Sequence, residues 1–126
     1  MTRLATALAV LGGLFIAYIG VNYLLDPQAI AAGFGLPAVP SDNAFLHVKG
    51  VRDLASGLIV FTLLAARQRR ALGWTMLAMS FIPFGDAAIV LGHDGTPALA
   101  YLMHGGTAVL VALTGVLLLR TAHARP

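Results

Sequence analysis

The stretch "HVKGVRDLASGLIVF", residues 47–61, decides how the whole chain is read. It ends in an apolar run of the kind that crosses a bilayer, yet Lys49, Arg52 and Asp53 stand near its start. On a helix, Lys49, Arg52, Asp53 and Ser56 fall at i, i+3, i+4 and i+7, a spacing that gathers them on one face. A charge facing lipid costs on the order of 2.5–3.5 kcal/mol or more, so that face is expected to turn inward, toward other helices. The stretch therefore predicts a bundle of spans around a polar interior.

Composition points the same way. Of 126 residues, 59 % are hydrophobic and 10 % charged, with a mean hydropathy of +0.86. A soluble domain usually has about 45–50 % apolar and about 25 % charged residues. The length suits one integral membrane domain, 1–126. The absence of cysteine excludes disulfides and thiolate metal sites. The net charge of +3 arises from eight basic residues and five aspartates. The basic residues sit at the ends of apolar runs, which fits membrane topology rather than nucleic-acid binding.

Four apolar runs, roughly 4–25, 46–66, 71–92 and 98–119, are each close to the roughly 20 residues a spanning helix needs. The first runs into "GVNYLLDP" without a small-residue cleavage site and reads as a retained span. Arg3, Arg67, Arg69, Arg70, Arg120 and Arg125 all fall toward one side, and the positive-inside rule makes that side cytoplasmic. The five aspartates, Asp26, Asp42, Asp53, Asp86 and Asp94, fall toward the other. The expected fold is all-α: a four-transmembrane-helix bundle with antiparallel neighbours and both termini cytoplasmic. Trp74 is expected at the inner interface, and Tyr23 and Tyr101 at the outer one.

The long outer connection contains Asp26 and Pro27, an N-cap and first-turn pair, which predicts a short interfacial helix over about 27–33 ended by Gly33 or Gly35. Ala5, Ala9, Gly13 and Ala17 recur every four residues, Gly12, Ile16 and Gly20 form a second row, and Gly50 and Gly57 lie in the second span. Gly105, Gly106 and Gly115 mark the fourth. Such rows let helices approach closely in lipid. Internal packing is their expected use, and a homo-oligomer stays open.

Depth singles out the candidate site. At about 1.5 Å per residue, Asp53 lies roughly 10 Å from the outer end of its helix, and Asp86 and His104 roughly 9 Å from theirs. Tyr18 and Asn22 straddle that level in the first span. Four helices thus offer polar groups at one height. A structural reading pairs Arg52 with Asp86 and Asp53 with His104, and lets Lys49 snorkel to the headgroups. Pro83 is expected to kink the third span beside Asp86. His47, His93, His104 and His123 are scattered without an i, i+4 pair, so neither a metal site nor a cofactor is expected.

The segments "FGLP" at 34–37, "VKGVRDLASGLIVF" at 48–61 and "SFIPFGDAAIVLGHDG" at 80–95 resemble a family of small four-span membrane proteins known as domain of unknown function 4267. Gly50, Arg52, Asp53, Gly57, Pro83 and Asp86 carry the likeness. The resemblance implies an integral membrane protein without an assigned reaction. More distantly the chain looks DoxX-like, at the level of fold alone.

Two functions compete. In one, an outward-facing cup binds a small amphiphile such as a lipid, quinone or hydrophobic metabolite. Its ligand-binding residues would be Arg52, Asp53, Asp86, His104, Tyr18 and Asn22, with Arg52 on an anionic or carbonyl oxygen. In the other, an intramembrane enzyme uses Asp86 or Asp53 as acid and His104 as base for an isomerisation or cyclisation. A purely structural polar cluster in a membrane accessory protein is the third reading. Expected partners are membrane lipids and a small hydrophobic ligand, not nucleic acid, and the expected location is the plasma (bacterial inner) membrane.

Overall fold

Helix pairs held by glycine organise the molecule. The computed structural model describes residues 2–123; Arg125 and the side chain of His123 lie outside that range. The elements are α1 (Thr2–Leu25), α2 (Pro27–Ala32), α3 (Ala44–Ala65), α4 (Arg69–Met79), α5 (Phe81–Gly92), a π-helix (Leu99–Gly105) and α6 (Gly106–His123). Among the described residues there is no strand.

The first pair is α1 against α3. A methyl group added at Gly50 would sit 2.9 Å from the Gly20 carbonyl oxygen, and one at Gly57 would sit 2.9 Å from that of Gly13. Neither position tolerates a side chain without the helices parting, which is what small residues at a lipid-phase interface are for. The second pair is α4 against α6, where Gly73 and Gly115 approach in the same way: a methyl at Gly115 would sit 2.8 Å from the Gly73 oxygen. Gly105 and Gly106, by contrast, meet no such crowding.

The two pairs join at one end only. There Ala5, Ala9, Val60, Leu72, Met76 and Leu118 form a shared core drawn from α1, α3, α4 and α6. Arg69 closes that end. Its Nη1 donates to Thr6 Oγ1 at 3.0 Å, and its Nε and Nη2 donate to Thr121 Oγ1 at 3.0 and 2.9 Å. Arg69 thus lashes α4 to α1 and α6. The turn into α4 is made by Arg67 in the left-handed region, φ 56°.

At the other end the pairs separate. The third apolar run breaks at Ser80 into α4 and α5. Pro83 has no N–H to offer Met79, so the helical ladder cannot pass through unchanged. Beyond the break, α5 packs on the π-helix and α6, and on neither α1 nor α3. A second core, Tyr23, Ala31 and Leu46, belongs to α1, α2 and α3.

The short helix α2 forms as its N-cap requires: Asp26 Oδ1 accepts from the Ala29 N–H at 3.3 Å, with Pro27 in the first turn. Gly33 caps it, and Gly35, at φ 104°, turns the chain away. Gly35 lies against Val90 and Leu99, and its carbonyl accepts from the Thr96 N–H at 2.8 Å. The α2–α3 connection is thereby tied to the one between α5 and the π-helix.

The outside is greasy. Leu11, Leu14, Phe45, Phe81, Leu102 and Leu110 are among many large apolar side chains left exposed. Water would not tolerate so much contiguous apolar surface, and lipid would. Three helical stretches, Arg3–Leu25, Arg69–Gly92 and Leu99–Ala122, are long and apolar enough to cross a membrane. The 22 residues of α3 match them in length, but α3 carries Lys49, Arg52 and Asp53.

Candidate functional site

Where the pairs diverge, they leave a groove of about 720 Å³. Its walls come from α1, α2, α3, the α4–α5 break, the π-helix and α6. Along most of its length the lining is apolar, with Leu8, Leu11, Phe15, Met79, Ile82 and Val111 typical. A smaller cavity of about 200 Å³ lies at the opposite end, beside Thr6, Arg67 and Arg69.

Helix α3 turns Lys49, Asp53, Ser56 and Val60 toward the groove. Lys49 Nζ stands 2.8 Å from Asp53 Oδ2, one helical turn away. Its ammonium also lies over the Tyr23 ring at 5.1 Å and the Phe34 ring at 5.5 Å, both attractive cation–π distances. Asp53 is only 6 % exposed, so it needs this partner. Two expectations are corrected here. Lys49 does not snorkel outward, and Asp53 pairs with Lys49 rather than His104. The cause is helix geometry: a flexible lysine one turn earlier reaches Asp53 without any other helix moving.

Arg52 is exposed and does not line the groove, and no ion pair joins it to Asp86. One residue is about 100° of rotation on a helix, enough to take Arg52 off the face that Asp53 occupies. Tyr18 and Asn22 also lie outside the groove lining. Tyr18 is 63 % exposed, and Asn22 Nδ2 donates to the Tyr18 carbonyl at 2.7 Å. Tyr23 takes the place they were given. It is buried against Gly50 and faces the groove instead of lying at an interface. Tyr101 and Trp74 are exposed.

His104 sits on the π-helix, is 7 % exposed and lines the groove. Its Nε2 is 2.8 Å from the Phe34 carbonyl oxygen. A carbonyl only accepts, so Nε2 donates and Nδ1 is left as the acceptor in the neutral ring. The His104 and Phe34 rings pack with centroids 4.5 Å apart at 51°. π-helical turns occur often at functional sites, and this one presents His104 to the groove.

Asp86, one turn beyond Pro83, lines the groove half-buried. Among the described residues it has no hydrogen-bond or ion-pair partner. It is close enough to Lys49, His104 and Asp53 to interact electrostatically. The groove therefore brings together Asp53, Asp86 and His104 of the expected site, omits Arg52, Tyr18 and Asn22, and adds Lys49, Tyr23 and Phe34. The small-residue rows could have found Tyr23, which follows Gly20 by three positions and so continues the contact face of α1. Phe34 carried no such signal, since its partner lies 70 residues away.

A helical fold with three helices long and apolar enough to cross a membrane is consistent with a small membrane protein. More narrowly, this chain is a member of the family described as domain of unknown function DUF4267, which matches residues 13–118. Of the positions carrying the likeness, Gly50 and Gly57 make the α1–α3 contact, while Asp53, Pro83 and Asp86 line the groove. No curated protein and no solved structure matches the chain, so the distant DoxX-like likeness carries no further argument.

Proposed function

We propose that this protein is a four-span membrane protein that holds one amphiphile in its outer groove. The observation carrying this reading is the groove itself: about 720 Å³, apolar along its length, with Lys49, Asp53, Asp86, His104 and Tyr23 in its lining. That volume falls within the roughly 300–1,000 Å³ typical of small-molecule sites. The apolar length suits a hydrocarbon tail and the titratable groups suit a polar head. Helix α3 serves as the fourth span because Lys49 and Asp53 neutralise each other and face the groove. Arg52 lies roughly 12 Å into the helix, and its long side chain reaches for the headgroups. Positive charges at the Arg69 end put both termini in the cytoplasm and the groove mouth on the outside of a plasma membrane.

Gly12 provides the test. It lines the groove, and a methyl added there meets only Met76 Cε, at 3.8 Å. Gly12→Leu should fill the cleft without disturbing the glycine contacts of α1 and α3. Native mass spectrometry of protein released from gentle detergent should show a retained amphiphile in the wild type. The variant should keep its helicity and retain at least ten-fold less. Equal retention would remove the groove as the binding site.

Asp86 supports a second reading. An unpartnered carboxyl opposite a histidine with a free Nδ1 is the equipment of a cofactor-independent isomerase or cyclase, with Asp86 as acid and His104 as base. Turnover of a lipophilic substrate that survives Asp86→Asn would dismiss it.

A further inference from the structure

The groove's polar groups are unevenly matched, and the imbalance specifies a head. Their donors are largely engaged. Lys49 Nζ donates to Asp53 at 2.8 Å and rests against two rings. His104 Nε2 donates to the Phe34 carbonyl at 2.8 Å. Ser56 Oγ donates to the Arg52 carbonyl at 2.9 Å, Thr107 Oγ1 to that of Met103 at 2.6 Å and Thr114 Oγ1 to that of Leu110 at 2.7 Å. What remains are three acceptors, the Asp86 carboxyl, the second Asp53 oxygen and His104 Nδ1, beside the Lys49 N–H groups not given to Asp53 and the Tyr23 hydroxyl, which both donates and accepts.

The charges are just as lopsided. An anionic head needs a cation with charge to spare. Lys49 is matched by Asp53, Arg52 is exposed outside the groove, and Asp86 adds a carboxyl with no ion-pair partner. A carboxylate, phosphate or sulfate head would meet a lysine whose charge Asp53 already matches and a second carboxyl, Asp86, whose charge opposes its own. A hydroxyl fits, since its proton satisfies Asp86 while its lone pairs accept from Tyr23 or Lys49. Should Asp86 hold a proton of its own, the same hydroxyl accepts it. This replaces the expectation that Arg52 would contact an anionic or carbonyl oxygen.

Resting on the groove reading above, we infer that the site selects uncharged, hydroxyl-headed amphiphiles and discriminates against anionic ones with the same tail. The closing experiment holds the tail constant. Oleyl alcohol, oleyl methyl ether and oleyl sulfate are titrated into the purified full-length protein in detergent, and binding is read by native mass spectrometry. The alcohol should bind at least ten-fold more tightly than the sulfate, which is anionic at any working pH. It should also exceed the ether, which has the oxygen but no proton to donate, by a similar factor. Asp86→Asn, which removes the carboxyl and adds an N–H donor, should narrow the gap between alcohol and sulfate.

Sulfate binding equal to or tighter than alcohol binding overturns the inference and leaves the groove reading standing. So does ether binding equal to alcohol binding, because then no donor is read. Failure of all three probes to bind defeats the groove reading and this inference with it. Should Asp86→Asn fail to fold, the three-way comparison on the wild type decides alone.

Discussion

Replacing Gly20 with alanine tests the packing at its tightest point. The added methyl would collide with the Leu54 backbone nitrogen and stand 2.7 Å from the Gly50 carbonyl oxygen. Carbon–oxygen contacts across helix interfaces sit at about 3.3–3.6 Å, so α1 and α3 would have to part by roughly 0.6 Å or more. Both obstacles are backbone, and no rotamer change relieves them. Overpacking of this kind costs about 1–3 kcal/mol. Alanine also favours helix over glycine by about 1 kcal/mol, which would mask part of the loss. Gly85→Ala supplies the control. It lies on α5, where nothing comes within 4 Å of an added methyl, so it gains the same propensity with no clash. The difference between the two variants isolates the contact, and it should be about 1–3 kcal/mol in favour of Gly85→Ala. Equilibrium unfolding in mixed micelles, with dodecyl sulfate as denaturant, measures it. Should Gly20→Ala match Gly85→Ala to within about 0.5 kcal/mol, the glycine contact does not hold α1 to α3 and the reasoning fails.

Two more tests address the ends of the bundle. His104→Phe keeps a ring against Phe34 but removes the donor to its carbonyl; it should cost about 1 kcal/mol and speed amide exchange at residues 34–36 and Thr96, and unchanged exchange would mean that the loop is held by other contacts. Arg69→Lys keeps the charge but loses the planar fork that spans Thr6 and Thr121, so it should lower stability by about 1–2 kcal/mol in a thermal melt, whereas an unaltered melt would leave Arg69 a topological charge and nothing more.

The helices were legible because lipid-spanning segments must be long, apolar and self-satisfied in hydrogen bonds, and nothing about their neighbours alters that. The 27–33 turn was legible for a local reason too, since Asp26 and Pro27 act within one turn. Facing was harder. On α1 nearly every position is apolar, so hydrophobic periodicity could not choose between Tyr18 or Asn22 and Tyr23. What marks the inward side is the contact of Gly13, Ala17 and Gly20 with α3, drawn from both small-residue rows, and Tyr23 lies one turn beyond Gly20. On α3, the spacing of Lys49 and Asp53 allowed their pairing, but weighing Lys49 as a snorkelling residue hid it. The π-helix had no signature, because no residue type or spacing in Leu99–Gly105 marks a wider turn. The Phe34–His104 contact is long-range and was out of reach of any local rule.

The fold and the groove make opposite demands, and the chain meets them toward opposite ends, with Val60 and Met76 serving both. Stability calls for interlocked apolar side chains, and these lie where Ala9, Val60, Met76 and Leu118 meet and Arg69 ties three helices together. A cleft calls for helices held apart. Pro83 breaks the third apolar run, and α5 stays clear of α1 and α3. What spans the gap is mostly backbone: the Phe34 carbonyl accepts from His104 and the Gly35 carbonyl from Thr96, with Gly35 resting on Val90 and Leu99. Hydrogen bonds of this sort are worth about 1 kcal/mol each, far less than a shared core. Local opening concentrates where buried apolar contact is sparse. Local opening should therefore concentrate at the end with Asp86 and His104 in its wall rather than at the Arg69 end.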